Sequence, residues 1–259
     1  MARAMWKGQI QLGKETLPVK LYSAVEDRTI HFHLLHEKDR APVEQHIVRK
    51  DTGKDVGKED IRKAFALSSG TAVILQPDDL EELEPPESRD IQIFRFVAAS
   101  AVGDQWYDRP YYLGPDDDAG DYFALADALE RKKAIGIGRW VMRKKRYVGA
   151  LSCVDGFLTL TTMRRAEQVL SFSRIEPAKT AAPQASELKL ARQLVSSIEA
   201  DFDPSLWQNE YRQRLYKLIE AKARGEKLPP VRSRKPRAKA SLAESLKASI
   251  AAAKEQKVA

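Results

Sequence analysis

The apolar residues change their period once, near Pro177, and this change limits the fold more than any other feature of the chain. Before it they occur as short runs between turn residues, at 10–12, 18–22, 30–35, 72–75, 91–97 and 135–142, and many are β-branched or aromatic. Runs of that length and composition predict antiparallel strands rather than helices. After it, beyond a linker of small residues at 178–185, the period is 3.6. Ser186 is read as the cap of a helix with Leu188, Ala191, Val195 and Ile198 on one stripe. Asp203-Pro204 then opens a second helix that aligns Trp207, Tyr211, Leu215 and Leu218, and Gly225 and Pro229-Pro230 end it. The expectation is a β domain followed by a helical hairpin.

Within the β part a meander is the best-defined segment. Residues 135–142 and 147–154 flank a turn read as Arg143-Lys144-Lys145-Arg146, and Asp155-Gly156 then turns the chain into 157–162. Asp-Gly between apolar runs is a strong hairpin signal. The meander therefore sets four cations at one end of a sheet. One helix interrupts the strands: Asp121 is placed at its start, Tyr122, Leu125, Ala126 and Leu129 share a face, and Arg131-Lys132-Lys133 suit its C-terminal dipole.

Charge is distributed unevenly. Residues 222–259 hold 11 Lys and Arg against 3 Asp and Glu, which leaves 33 basic and 34 acidic residues in the rest of a chain whose net charge is +7. A body near neutrality with a cationic tail points to a polyanionic partner, because each Lys or Arg on a phosphate releases condensed counterions. The tail opens with Arg232, Arg234, Lys235, Arg237 and Lys239 and continues with Leu242, Leu246 and Ile250 four residues apart, a pattern that predicts partial helix on binding. The body is polarised too: 15 acidic and 3 basic residues over 76–130 precede 8 basic and no acidic residues over 131–146. Either two opposed electrostatic faces or charge pairing within the fold follows from this.

Other classes are excluded. No window approaches the roughly 18 apolar residues of a membrane span, and MARAMWK lacks the apolar core of a signal peptide. Cys153 is the only cysteine, so neither an internal disulfide nor a thiolate zinc cage is expected, and a reducing, cytoplasmic setting follows. Gly8 to Lys14 (GQIQLGK) imitates a phosphate-binding loop, yet Glu15 stands where the magnesium-binding hydroxyl belongs and no helix follows to receive phosphates. His31, His33, His36 and His46 lack metal-ligand spacing and are read as hydrogen-bonded surface or structural residues. Asp116-Asp117-Asp118 reads as solvated loop carboxylates, Gly136-Ile137-Gly138-Arg139 as part of a strand, and Cys153 as a small buried hydrophobe. With no nucleophile, base and orienter arranged together, the chain reads as a binding protein without cofactor or metal, not an enzyme. A nuclease and a general nucleic-acid or nucleoid-binding protein are the competing classes.

Several stretches then converge: MARAMWKG at the start, LPVKLYSA at 17–24, IHFHLLHEKD at 30–39, DIQIFRFVAA, YDRPYYLGPD at 107–116, AIGIGRWVMRKKRYVGAL, LTLTTMRRAEQVL, and the helical ELKLARQLV and FDPSLWQNEYRQRLYKLIEAKARG. In this unbroken order, over about residues 1–225, the chain resembles prokaryotic Ku. The resemblance implies a mainly β fold with α: a Ku β-barrel core over 1–180, a DNA-encircling arch at about 36–83, a helical region over 181–225 and a basic tail over 226–259. It also implies a homodimeric ring on double-stranded DNA ends that recruits an ATP-dependent ligase D in non-homologous end joining, in the cytoplasm on the nucleoid. Two arch limbs of about 15 residues at roughly 3.3 Å each reach on the order of 50 Å, enough to pass around half a duplex.

The DNA-facing candidates in the arch are Lys38, Arg40, Arg49, Lys50, Lys54, Lys58, Arg62 and Lys63; Arg139, Arg143, Lys144, Lys145 and Arg146 are the candidates on the body. The arch departs from the family pattern, since 36–63 holds 8 basic and 7 acidic residues and no cysteine, so the acid-free stretch 139–146 is favoured as lining. Trp207, Tyr211 and Arg212 are the expected ligase contacts.

Overall fold

Leu17, Val19 and Leu21 alternate along one strand and point the same way, and the same two-residue period recurs in Ile91, Leu113, Leu151, Leu158 and Leu160, all buried. The computed structural model, which describes residues 3–68, 70–116, 119–175, 184–226 and 249–250, turns these alternations into the interior of a closed barrel. The chain divides into two units, Met1–Ile175 and Glu176–Ala259.

In the first unit the elements are β1 (Trp6–Leu12), β2 (Glu15–Ser23), β3 (Lys63–Ala66), β4 (Ala72–Leu75), α1 (Pro77–Glu81), β5 (Asp90–Ala98), β6 (Tyr107–Pro115), α2 (Ala119–Lys132), β7 (Ala134–Met142), β8 (Lys145–Val154) and β9 (Phe157–Met163). The barrel runs β1-β2-β6-β9-β8-β7-β5, and β5 closes it by pairing parallel to β1 with Ile10 opposite Ile91. The GQIQLGK stretch is therefore strand β1 and a turn, with Leu12 paired to Glu15, and not a phosphate loop.

The interior is filled by Ile10, Val19, Leu21, Ile91, Leu113, Trp140, Leu151, Leu158 and Leu160, each worth roughly 1.5–3 kcal/mol of burial. The Trp140 ring stacks on Tyr147, 5.4 Å between centroids, and lies over Gly149, where an added Cβ would meet its ring at 2.6 Å. Helix α2 buries Tyr122, Ala126 and Leu129. The Tyr122 hydroxyl donates to the Leu113 carbonyl at 2.5 Å and accepts from the Leu158 N–H at 2.9 Å, tying the helix to β6 and β9. Burial pushes that phenol's pKa up.

Between β2 and β5 the chain makes an insertion over residues 24–89. It holds isolated bridges at Leu35–Pro42 and Val48–Asp55, the two-stranded β3–β4 sheet and the short α1, and none of the residues in its named elements is buried. Residues 30–35, expected as a strand, pair among the described residues only through Leu35, so no ladder forms there, and Phe32 is 64% exposed.

The second unit contains α3 (Ala185–Ser197), a 3-10 turn (Pro204–Leu206) and α4 (Glu210–Ala223). Ser186 is not the cap of α3: Gln184 is, in a capping box with Glu187. Asp203 caps the 3-10 turn through Ser205, and α4 begins seven residues later at Glu210, capped by Asn209, whose side chain accepts from the Arg212 N–H at 3.0 Å. Trp207 thus precedes α4 instead of lying on its stripe. The α3 stripe of Leu188 and Val195, with Ile198 just past the helix end, is exposed, and α4 buries Ala221 alone among its described residues.

Candidate nucleic-acid interface

The β7–β8 hairpin brings the body cations together, but not in the way its sequence predicted. Met142 pairs with Lys145 and Val141 with Arg146, so the turn is Arg143-Lys144 alone and the other two cations belong to β8. Arg143 and Lys144 have φ of 51° and 61°. A two-residue turn of this kind needs positive φ twice, which asparagine and glycine supply cheaply and long side chains do not. The next hairpin down the same sheet meets the requirement with Asp155-Gly156, at φ 51° and 77°.

Cations from both strands gather near this turn. Arg146 lies on the outer face with Arg139, two residues further along the paired strand, and the Arg139 guanidinium sits 4.8 Å from the centroid of Phe94. Phe94 is the extra residue where the β5–β7 register shifts, which turns its ring outward beneath the arginine. Lys145 and Arg146, with Tyr147, Thr162 and the carboxylates of Asp108 and Glu167, line a cleft of about 450 Å³. Arg165 completes the cleft and donates from Nη2 to the Arg146 carbonyl at 3.3 Å. Arg165 is not among the cations that the sequence alone points to. The signal was the Arg-Arg after the 157–162 run, because antiparallel pairing returns the end of β9 beside the start of β8. Its neighbour Arg164 is committed to structure: it donates to the Gln105 and Tyr107 carbonyls and pairs with Asp108 at 3.4 Å.

Lys144 faces carboxylates. Its Nζ is 2.9 Å from Glu84 Oε2, and that contact, backed by Glu81 and Glu87, raises the ammonium pKa. Charge pairing within the fold, one of the two readings of the polarised sequence, is realised here.

The arch candidates are exposed and several are already engaged. Arg49 makes a two-point contact with Asp51 at 3.0 and 2.7 Å, and this raises its pKa and lowers that of Asp51. Arg62 braces the limb, donating to Gln76 Oε1 at 3.1 Å and to the Glu59 and Ile61 carbonyls. Arg40 sits in a turn at φ 58°. Lys38, Lys50, Lys54, Lys58 and Lys63 are exposed. Arg232, Arg234, Lys235, Arg237 and Lys239 lie outside the described residues, as do Asp117, Asp118, Leu242 and Leu246.

Asp116, His36 and His46 are each engaged by neighbouring side chains. Asp116 is held by Lys20 at 2.5 Å and Lys7 at 3.2 Å, which keeps its pKa low. His36 contacts Asp39 at 2.7 Å, and His46 lies 3.5 Å from Asp55. Cys153 is half-buried rather than buried, and burial raises its thiol pKa. In the second unit Trp207 and Tyr211 are exposed, and the Arg212 guanidinium lies 5.5 Å from the Tyr216 ring centroid.

Residues 11–190 match the family model of the Ku70/Ku80 beta-barrel domain. The chain belongs to the Ku family. It is 36% identical over 248 residues to non-homologous end joining protein Ku 2 of Geotalea uraniireducens, covering 95% of this chain and 96% of the relative. It is 34% identical over 260 residues to non-homologous end joining protein Ku of an Anaeromyxobacter species, covering 98% and 87%. The corresponding Ku of Solibacter usitatus is 32% identical over 258 residues, covering 99% and 96%. The seven-stranded barrel with its helices is thus the Ku barrel, and 24–89 is an insertion in it. Among the described residues no helix is long and apolar enough to cross a membrane.

Proposed function

We propose that this Ku-family chain binds ends of double-stranded DNA in non-homologous end joining. It does so as a homodimeric ring that threads onto the duplex, protects the end and recruits an ATP-dependent DNA ligase D. The chain is a scaffold and not an enzyme. The observation that carries the ring is the insertion: Phe32, Phe65, Ile74 and Leu83 stay between 60% and 80% exposed on one copy. Apolar surface of that extent calls for a covering partner, and a second copy of the same insertion is the partner a closed assembly supplies. The β3–β4 hairpin has apolar residues on both faces, Phe65 with Val73 and Ala64 with Ile74, which suits enclosure from two sides.

Sequence independence follows from the cations. Arg139, Arg143, Lys145, Arg146 and Arg165 fit phosphates, which position a duplex without specifying its bases. The arch cations Lys38, Lys50, Lys54, Lys58 and Lys63 and the tail from Arg232 to Lys239 add to the same sequence-independent affinity. Trp207, Tyr211 and Arg212, two exposed rings and an arginine stacked on Tyr216, have the composition of interface anchors and form the ligase-docking surface. Deleting 186–225 is expected to abolish ligase stimulation and leave end binding intact; stimulation retained by the truncated protein contradicts the assignment.

The deciding experiment offers one duplex as linear DNA and as a closed circle at about 150 mM salt. Retention on the linear form, lost when bulky caps block its ends before protein is added, supports threading. Equal binding to both forms leaves a general nucleic-acid or nucleoid-binding protein instead.

A further inference from the structure

The segment that returns from the insertion to the barrel carries six carboxylates between Pro77 and Ser88. One of them, Glu84, reaches the tip of the β7–β8 hairpin, sixty residues away in sequence, and pairs with Lys144 at 2.9 Å. The pair is solvated, with side-chain exposures of 62% for Lys144 and 34% for Glu84, so it is open to exchange with an external anion. Glu81 and Glu87 stand near enough to act on the same ammonium. The turn they face is the one whose long side chains go against its backbone, with two non-glycine residues at positive φ. Strain kept at such a tip points to a function for the side chains that impose it.

We propose that Glu84 is an affinity-setting residue: its carboxylate occupies, on Lys144, the place that a backbone phosphate takes when duplex DNA enters. The inference rests on the reading of this turn as part of the DNA surface. Binding is then an exchange of one anion for another. A cation already neutralised from within adds little to the counterions released, so the carboxylate lowers both the affinity and its dependence on salt. A single stray phosphate gains little by displacing a tethered carboxylate backed by two more. A duplex whose other phosphates are already held by Arg146 and Arg165 displaces it readily, and this favours continuous duplex over short polyanions.

The test is a double-mutant cycle on the full chain with two probes, linear duplex and a heparin column. E84Q is expected to bind duplex about threefold more tightly, to steepen the plot of log affinity against log salt by about one unit, and to elute from heparin at higher salt. In a K144Q background, Glu84→Gln should add nothing. E15Q, which removes the same formal charge at the β1–β2 turn, should leave both measurements near those of the parent. Equal gains from Glu84→Gln with and without Lys144, or no gain on either probe, overturn the proposal. A fall in melting temperature together with weaker binding also overturns it, because the pair is then a strut. A coupled gain on heparin in a protein that binds circles and linear DNA alike upholds the exchange and removes the end-binding reading alone.

Discussion

Ile10, Val19, Leu21, Ile91 and Leu160 are wholly enclosed in the barrel, whereas Phe32, Ile47, Phe65 and Ile74 of the insertion remain more than half exposed. The two regions draw on the same apolar residue types. They differ in pairing. Every barrel strand has two neighbours and a shared interior, while among the described residues β3 and β4 have only each other and the rest of the insertion has isolated bridges. Apolar content becomes a core only where the ladder closes; elsewhere it is a surface that a further molecule has to cover.

Substitutions can break this contrast. Leu160→Ala should cost about 2–5 kcal/mol, since the cavity opens inside a closed shell, and thermal melting of the purified protein checks it. Tyr122→Phe should cost about 1–3 kcal/mol, because the buried Leu158 N–H and Leu113 carbonyl both lose their shared partner; denaturant titration at unchanged m reads this loss. A smaller effect of opposite sign is expected at the strained turn. Arg143→Asn with Lys144→Gly should raise the melting temperature by about 3 °C, while weakening duplex binding and flattening its salt dependence by about one unit, since Lys144 is already neutralised by Glu84. Phe65→Ser should change the melting temperature by less than about 2 °C, yet sedimentation should show loss of self-association. A large stability loss from Phe65→Ser would mean that the insertion has a core of its own and would end the contrast.

The barrel was legible where turn chemistry and apolar alternation agree. Asp155-Gly156 announces the β8–β9 hairpin, and 135–142 matches β7 to within a residue. It was illegible where they conflict. Strand β6 contains Pro110, Gly114 and Pro115, which mask its alternation, and its pairing with β2 and β9 comes from tertiary context. The two-residue turn inside the four-cation stretch has no local mark, because none of those residues favours the positive φ that Arg143 and Lys144 adopt. Asp203-Pro204 is a convincing helix start that produces only a 3-10 turn, and the true cap, Asn209, lacks the proline that usually accompanies one. For the candidate site, the cations themselves were plain from composition. The Glu84–Lys144 pair and the place of Arg165 were not, since both depend on which strand ends the closed barrel brings together.

The parallel seam between β1 and β5 joins Ile10 to Ile91 only after the whole insertion has been traversed. Contacts so distant in sequence form late, so this seam and the β2–β6 pairing, which spans the same insertion, are the steps on which the folding rate of the barrel should depend. The entropy of closing the seam grows only with the logarithm of the intervening length, about 0.6 kcal/mol for each doubling. The barrel is therefore nearly indifferent to how long its insertion is, and evolution can lengthen, shorten or rewrite that segment while the fold that carries it stays fixed.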